Sequence, residues 1–130
     1  MINKQLLLQD LCARLPFGVR CSFGVDDAVY EITGINPSAC GASEIQATHI
    51  KSGINGDFRL SSCKPYLFPI PCMTEEQKKE YAHILVMNSN LAYSQLLGIT
   101  VEDWFNKNHL DYRGLIPMGL AKDATGLNIY

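Results

Sequence analysis

The polar run HLDYRG at residues 109–114 contains the side-chain types that most often carry chemistry. His109 and Asp111, together with one of the five cysteines, could supply a nucleophile, a base and a group that orients the base. A cysteine nucleophile needs an electropositive and partly exposed setting, and no local signature marks a cysteine that has one. We therefore predict no catalytic residue, and a small cysteine hydrolase is the second of two alternative functions.

The histidines and cysteines also lack the spacing of a metal site. His49, His83 and His109 are scattered along the chain, and His109 and Asp111 would point to different faces of a helix. The five cysteines include no CxxC pair, and an odd number does not fit a disulfide framework. We predict no metal, no cofactor and free thiols throughout.

The end of the same run allows two interpretations. Asp111 can cap the turn that follows it, Arg113 can reach a carboxylate or backbone carbonyls, and Gly114 permits an unusual φ. Alternatively, Tyr112 and Arg113 form an exposed pair of the two residue types that are enriched at binding hot spots. Tyr112 and Arg113 are therefore the candidate interaction residues.

Composition and charge restrict the class of protein. The chain has 130 residues, is 47% hydrophobic and 18% charged, and carries a formal net charge of −2, which predicts one folded domain over 1–130. The charge makes nucleic acid an unlikely partner, because binders of DNA or RNA usually present a basic face. The only residues that could form a basic stripe are Arg14, Arg20, Lys51, Arg59 and Lys64.

No apolar run approaches the roughly 20 residues that a membrane-spanning helix needs, so we predict no membrane partner. The first residues, MINKQLLLQDLCARL, lack the long uncharged core and small-residue cleavage site of a signal peptide. These features predict a cytoplasmic protein whose oligomeric state is not indicated.

The elements that position these residues begin with a helix over 1–15. Its predicted buried face has helical spacing, and the charged residues between those positions, including Asp10, are expected to face water. The members of the buried face are Leu8, Leu11, Cys12 and Leu15. Alternating apolar and polar residues then predict a four-stranded antiparallel meander over 19–63. Asn55-Gly56 favours a tight turn between the last two strands, although a longer loop over 51–56 stays open.

The segment 64–73 contains three prolines within a short apolar stretch, which predicts an extended connector and excludes a central strand. A helical part follows over 74–121. Thr74 and Gln77 form a capping-box pair for a helix that runs to about Met87, and a short helical piece is expected at 91–97. Thr100 starts a further helix that buries Trp104 between helix and sheet, and a break near 114–117 follows. The tail over 122–130 is predicted to be loose. The fold class is α+β, and a strongly curved meander could be SH3-like.

Three blocks of the chain resemble a known family. LLLQDLCARLPFGV, KPYLFPIPCMTEEQKKEY and WFNKNHLDYRGLIPMGLA are similar in order and spacing to a family of small hypothetical proteins in phage and prophage genomes of gut anaerobes. The family has no established activity, so the resemblance implies a mobile-element origin and supplies no catalytic residues. The chain has Asn108-His109 where many relatives are expected to have a second histidine, which weakens a paired-histidine metal role.

These observations predict a small non-enzymatic accessory protein of phage or prophage origin that acts by binding another, unknown protein. The first alternative is a nucleic-acid-binding module that uses the curved sheet.

Overall fold

The computed structural model describes residues 3–24, 28–36, 44–88 and 101–130. Its helices are α1 (Asn3–Arg14), α2 (Glu75–Asn88) and α3 (Val101–Lys107). Its strands are β1 (Arg20–Phe23), β2 (Tyr30–Ile35), β3 (Ile45–His49), β4 (Asn55–Phe58), β5 (Cys63–Leu67) and β6 (Lys122–Asp123). The predicted helical piece at 91–97, the Thr100 cap and Cys40 lie outside the described residues.

The six strands form one mixed sheet in the order β4-β3-β2-β1-β5-β6. The pairs from β4 to β5 are antiparallel, and β6 is parallel to β5. The predicted α+β class is confirmed, and the four strands predicted over 19–63 are β1 to β4. Two further strands, β5 and β6, were not predicted.

The strand β5 corrects the prediction for the proline-rich segment. Pro65 pairs with Cys21 of β1, so the segment begins as a strand inside the sheet and not as a connector. On its other side β5 pairs with β6 only at Tyr66 and Leu67. Pro65 therefore lies beyond the end of β6, where β5 has one neighbouring strand and a proline is tolerated.

The turn between β3 and β4 is the longer of the two predicted alternatives. The amide of His49 donates to the Ile54 carbonyl at 2.9 Å, and the amide of Gly53 donates to the His49 carbonyl at 2.8 Å. Gly53 has a φ of 71°, which a glycine adopts without strain. Asn55 and Gly56 therefore lie in β4, and the alternative that placed a tight turn at these two residues is wrong. The strand ends at Phe58, before a 3-10 turn at Leu60–Ser62.

The two faces of the sheet have different cores. Cys21 and Phe23 of β1 point into the main core, which contains Leu7 and Leu11 of α1 and Ile32 and Ile45 of the neighbouring strands. The opposite face is covered by the end of the chain. There Ala124 and Ile129 pack with Tyr66, and Val29 and Phe68 lie against this second cluster. The tail is thus a structural layer, and the prediction that it is loose is wrong.

The buried face of α1 is rotated from the predicted one. Leu7 and Leu11 are buried, whereas Cys12 is exposed. Asp10 and Arg14 are fully buried, although charged residues were expected on the water-facing side. The periodicity located the helix correctly but did not identify which of its polar residues have internal partners.

The helical part follows its local signals at the start of α2, but α3 ends at Lys107, so the prediction that helix continues to a break near 114–117 is wrong beyond that residue. The amide of Gln77 donates to the Thr74 hydroxyl at 3.1 Å, and the amide of Thr74 donates to the Gln77 side-chain oxygen at 3.0 Å, so the capping box is confirmed. Trp104 is 5% exposed, so its predicted burial is confirmed, but it belongs to a cluster with α2 and not to the main core on the sheet. Its ring lies 5.6 Å from that of Tyr81 of α2, so a helix–helix contact contributes to its burial. Within the described residues no helix has the length and apolar character required to cross a membrane.

Candidate functional site

The predicted cap at the end of the polar run is present. The two carboxylate oxygens of Asp111 accept the backbone amides of Leu115 and Ile116 at 2.8 and 2.9 Å. Gly114 has a φ of 75°. These contacts assign Asp111 and Gly114 to holding the turn that follows, as the capping interpretation predicts.

Tyr112 and Arg113, the candidate interaction residues, are joined to each other and to α1. Arg113 donates from Nη2 to the Tyr112 hydroxyl at 2.7 Å and from Nε to Asp10 Oδ1 at 3.1 Å, and its side chain is 20% exposed. The Tyr112 ring stacks on Phe105 with centroids 5.1 Å apart. Both residues therefore have internal partners, and their role in binding stays a prediction.

Asp10 connects this corner to a buried arginine. Arg14 Nε donates to Asp10 Oδ2 at 2.8 Å, and Arg14 Nη2 donates to the Leu110 carbonyl at 2.6 Å. Both side chains of this pair are fully buried. The sequence signal that could have revealed the pair is the i,i+4 spacing of Asp10 and Arg14 on one helix. Because Arg14 is inside the protein, it cannot belong to a surface stripe for nucleic acid.

His109 is placed unlike a catalytic base. Its φ is 58°, and its ring stacks on that of Tyr130 with centroids 3.6 Å apart. Burial, followed by the charges of Arg14 and Arg20, lowers the pKa of His109 to about 4. The imidazole is therefore neutral near pH 7, and its buried Nδ1 has no hydrogen-bond partner among the described residues.

The described cysteines do not complete a nucleophile–base set with His109. Cys21 and Cys63 are buried in neighbouring strands. Burial, together with the Cys63 thiol beside it, raises the pKa of Cys21 and disfavours its thiolate. Cys12 and Cys72 are exposed. The described part of the chain contains no group of three His, Cys, Asp or Glu side chains that could hold a metal ion.

A wide groove lies beside the chain's last residues, and we call it the tail groove. It has a volume of about 750 Å³, and Val29 and Tyr66 contribute to its lining. Residues 127–129 line it from the tail, residues 49–51 line it from the end of β3, and Arg20 lines it from β1. Two of these residues, Ile50 and Leu127, are 40% and 53% exposed.

The charged side chains of the tail groove are basic. Arg20 and Lys51 line it, and no Asp or Glu does so among the described residues. Arg20 donates to the Ile129 carbonyl at 2.6 Å, and its Nε lies 3.5 Å from Glu31 Oε1. Glu31 therefore offsets part of the charge of Arg20, whereas the exposed Lys51 has no ion-pair partner among the described residues.

Tyr130 fixes the wall that the tail contributes. Its hydroxyl accepts the Arg20 amide at 2.8 Å and donates to the Tyr66 carbonyl at 2.8 Å. Burial is the main cause that raises the pKa of this hydroxyl, so it stays protonated and keeps both contacts. Sequence reasoning missed the groove because it treated the tail as loose. The signal available was a pair of large side chains, Ile129 and Tyr130, within that polar tail.

Comparison with known proteins gives no identification: no family model, no curated protein and no solved structure matches the chain.

Proposed function

We propose that this chain is a non-enzymatic accessory protein that binds another protein through the tail groove. The occupant is an extended segment that carries acidic and aliphatic side chains. The observation that carries the proposal is the combination of a large open groove, exposed Ile50 and Leu127 at its sides, and two basic lining residues. Exposed apolar side chains rimmed by polar groups are typical of interaction sites.

Charge complementarity selects an acidic segment. Lys51 and Arg20 bring positive charge to the groove. Glu31 offsets part of the charge of Arg20, and the described lining itself contains no carboxylate. Such a rim attracts acidic partners and repels basic ones, so it contributes to specificity and to the association rate. The aliphatic part of the occupant would cover Ile50 and Leu127, whose exposure costs free energy in the unbound protein.

The state of the potential catalytic groups supports a binding role over a hydrolase. His109 is stacked, its pKa of about 4 makes it a weak base, and the Cys21 thiol is buried with a raised pKa. A nucleophilic cysteine needs a neighbouring base and a stabilised thiolate. The described cysteines and His109 offer no such pair.

The aromatic residues at the groove favour protein over nucleic acid as the partner. Single-stranded nucleic acid is bound by stacking bases on accessible aromatic faces. Tyr66 is 3% exposed, and Tyr130, which is outside the groove lining, has one ring face stacked on His109. The exposed apolar side chains of the lining, Ile50 and Leu127, are aliphatic, and they suit the side chains of a peptide better than bases.

Fluorescently labelled peptides test the proposal directly. One peptide alternates Glu or Asp with Leu, a second replaces the acids by Lys, and a single-stranded DNA oligonucleotide is the third probe. We expect the acidic peptide to bind, and we expect its affinity to fall with salt and with Lys51→Glu. Lys79→Glu, an exposed change on α2 outside the groove lining, is the matched control and should leave affinity unchanged. Preference for the Lys peptide or the DNA would contradict the proposal.

The phage or prophage origin belongs to the same proposal and rests on the resemblance of the three sequence blocks. The genes next to this one test it. Neighbouring structural or regulatory phage genes would support the origin, and housekeeping genes on both sides in several genomes would argue against it.

A further inference from the structure

The outer edge of the sheet presents backbone groups in a defined pattern. In the described part of the chain β4 pairs with β3 alone. The His49 amide donates to the Ile54 carbonyl, so residues 49 and 54 form a hydrogen-bonded pair. Such pairs alternate along an antiparallel ladder, which makes Ala47 with Gly56 and Ile45 with Phe58 the next two. The amides and carbonyls of Asn55 and Asp57 therefore point away from β3.

We propose that this edge is a self-association site, at which β4 pairs antiparallel with β4 of a second copy of this chain. The two-fold axis passes beside Gly56, so that Asn55 of each copy lies opposite Asp57 of the other. Asn55 and Asp57 are the residues with outward backbone groups, and this register lets each copy exchange backbone hydrogen bonds with the other at both positions. The proposal is independent of the tail groove.

The polar side chains match in this register. The Thr48 hydroxyl donates to Asn55 Oδ1 at 2.6 Å, which leaves the amide nitrogen of Asn55 with its hydrogens available. Asp57 of the second copy presents a carboxylate directly opposite. Each Asn55 can therefore donate to an Asp57, and no two carboxylates face each other across the axis.

The apolar side chains match on the other face. The same register places Ile54 opposite Phe58 of the second copy. Ile54 is 68% exposed, the largest exposed fraction of an isoleucine or leucine among the described residues. Phe58 is half-buried and stacks on Phe23 with ring centroids 4.0 Å apart. Positions 54 and 58 form a non-hydrogen-bonded pair across the axis, in which side chains approach most closely. Ile54 would therefore cover the Phe58 ring.

Gly56 explains why the centre of the edge is open. A Cβ at this position would lie 2.9 Å from the Phe58 ring, so the ring occupies the space that a side chain would need. In the proposed register Gly56 lies opposite Gly56 of the second copy, and nothing obstructs the close approach of the two strands. The edge is short, so we expect weak, concentration-dependent association and not a permanent dimer.

Sedimentation velocity over a wide concentration series tests the proposal. Asp57→Pro removes an outward amide without removing a bond to β3, and Asp57→Ala removes the same carboxylate while keeping that amide. We expect the parent to self-associate and Asp57→Pro to dissociate about tenfold or more easily than Asp57→Ala, because symmetry removes the bond twice. Asn55→Asp keeps an oxygen for Thr48 but sets two carboxylates against each other, and it should also weaken the dimer. Far-UV circular dichroism checks that each variant is folded.

Cross-linking tests the register in the same protein. In a background with Cys12→Ser, Cys40→Ser and Cys72→Ser, one preparation carries Asn55→Cys and another carries Asp57→Cys. A copper–phenanthroline oxidant should cross-link the mixture efficiently and either preparation alone poorly. A parent that stays monomeric at the highest concentration would overturn the proposal. Association that ignores Asp57→Pro and Asn55→Asp, or cross-linking that is equal in all three samples, would also overturn it.

Discussion

The Asp10 carboxylate balances the charges of two arginines inside the protein. It receives Arg14 Nε on one oxygen and Arg113 Nε on the other, and both Asp10 and Arg14 are fully buried. Asp10→Asn should therefore lower the free energy of unfolding by about 3–5 kcal/mol, because it leaves the Arg14 guanidinium buried without a counter-charge. Urea unfolding of the parent and the variant measures the difference.

The control is Glu31→Gln, which removes an ion pair of partly exposed side chains with Arg20. It should change stability by less than about 1 kcal/mol, as expected of a surface pair. If the two variants lose equal stability, the burial of the Asp10–Arg14 pair is not what makes it important.

His109 gives the protein a pH dependence with a definite sign. Its pKa is lowered from 6.5 to about 4 in the folded state, so between these values the unfolded chain binds more protons at this site. Its contribution to stability is complete above pH 6.5 and is lost as the pH falls toward 4. After allowance for partial exposure the loss is about 2 kcal/mol. Thermal unfolding between pH 4 and 7 measures it.

His109→Asn is the informative variant, since asparagine tolerates the positive φ of 58° and does not titrate. It should be somewhat less stable at pH 7, because the stack on Tyr130 is lost. Its stability should also fall less steeply between pH 6.5 and 4 than that of the parent. An unchanged slope would assign the acid sensitivity to other groups.

At the scale of single elements, the start of α2 depends on a reciprocal cap. Thr74→Ala should lower the free energy of unfolding by about 1 kcal/mol, because the Gln77 amide loses its acceptor. Thr74→Ser keeps a hydroxyl and serves as the control, and it should lower the free energy of unfolding by only a few tenths of a kcal/mol. A cost near zero for Thr74→Ala would mean that the helix end frays in solution.

The packing of α2 on α3 depends on Trp104. Trp104→Ala should cost about 3–5 kcal/mol, because it leaves a cavity beside Tyr81 and Phe105. It also removes the indole bond to Glu80 at 3.2 Å. Leu85→Ala, at a side chain that is 44% exposed on α2, should cost far less. A loss below about 1 kcal/mol for Trp104→Ala would place the indole in solvent.

Elements with local signals were predictable, and elements defined by distant partners were not. The Thr74–Gln77 box and the strands β1 to β3 are encoded in neighbouring residues, whereas β4 begins at Asn55 and Gly56, which the local pattern assigned to a turn or loop. The strand β5 forms because it pairs with β1, and β6 forms because Lys122 and Asp123 meet the end of β5. No local pattern records such pairings. A proline cannot donate a backbone hydrogen bond to a neighbouring strand, and this restriction is the reason why a strand at 64–73 was not predicted. The structure meets the restriction because β6 is too short to pair with β5 at Pro65.

The same distinction between local signals and distant partners separates the contacts that were predicted from those that were not. The Asp111 cap was predictable, because a cap involves residues a few positions apart. The Asp10–Arg113 contact and the tail groove were not, since they join the first helix and the first strands to the end of the chain. Charged residues such as Asp10 are assigned to the surface by default, and only the folded chain shows which of them have buried partners.

At the scale of the whole molecule, the parallel contact between β5 and β6 has a kinetic consequence. Closing the long loop between them costs chain entropy before any contact repays it, whereas the hairpins of β2, β3 and β4 close short loops. The tail should therefore dock after the rate-limiting barrier to folding. Ile129→Ala should speed unfolding and leave the refolding rate nearly unchanged, and Ile45→Val in the hairpins should slow refolding. In stopped-flow denaturant jumps the two substitutions would move opposite arms of the chevron. The layer over the second face of the sheet would then set how long the native state lasts, with little influence on how quickly it forms.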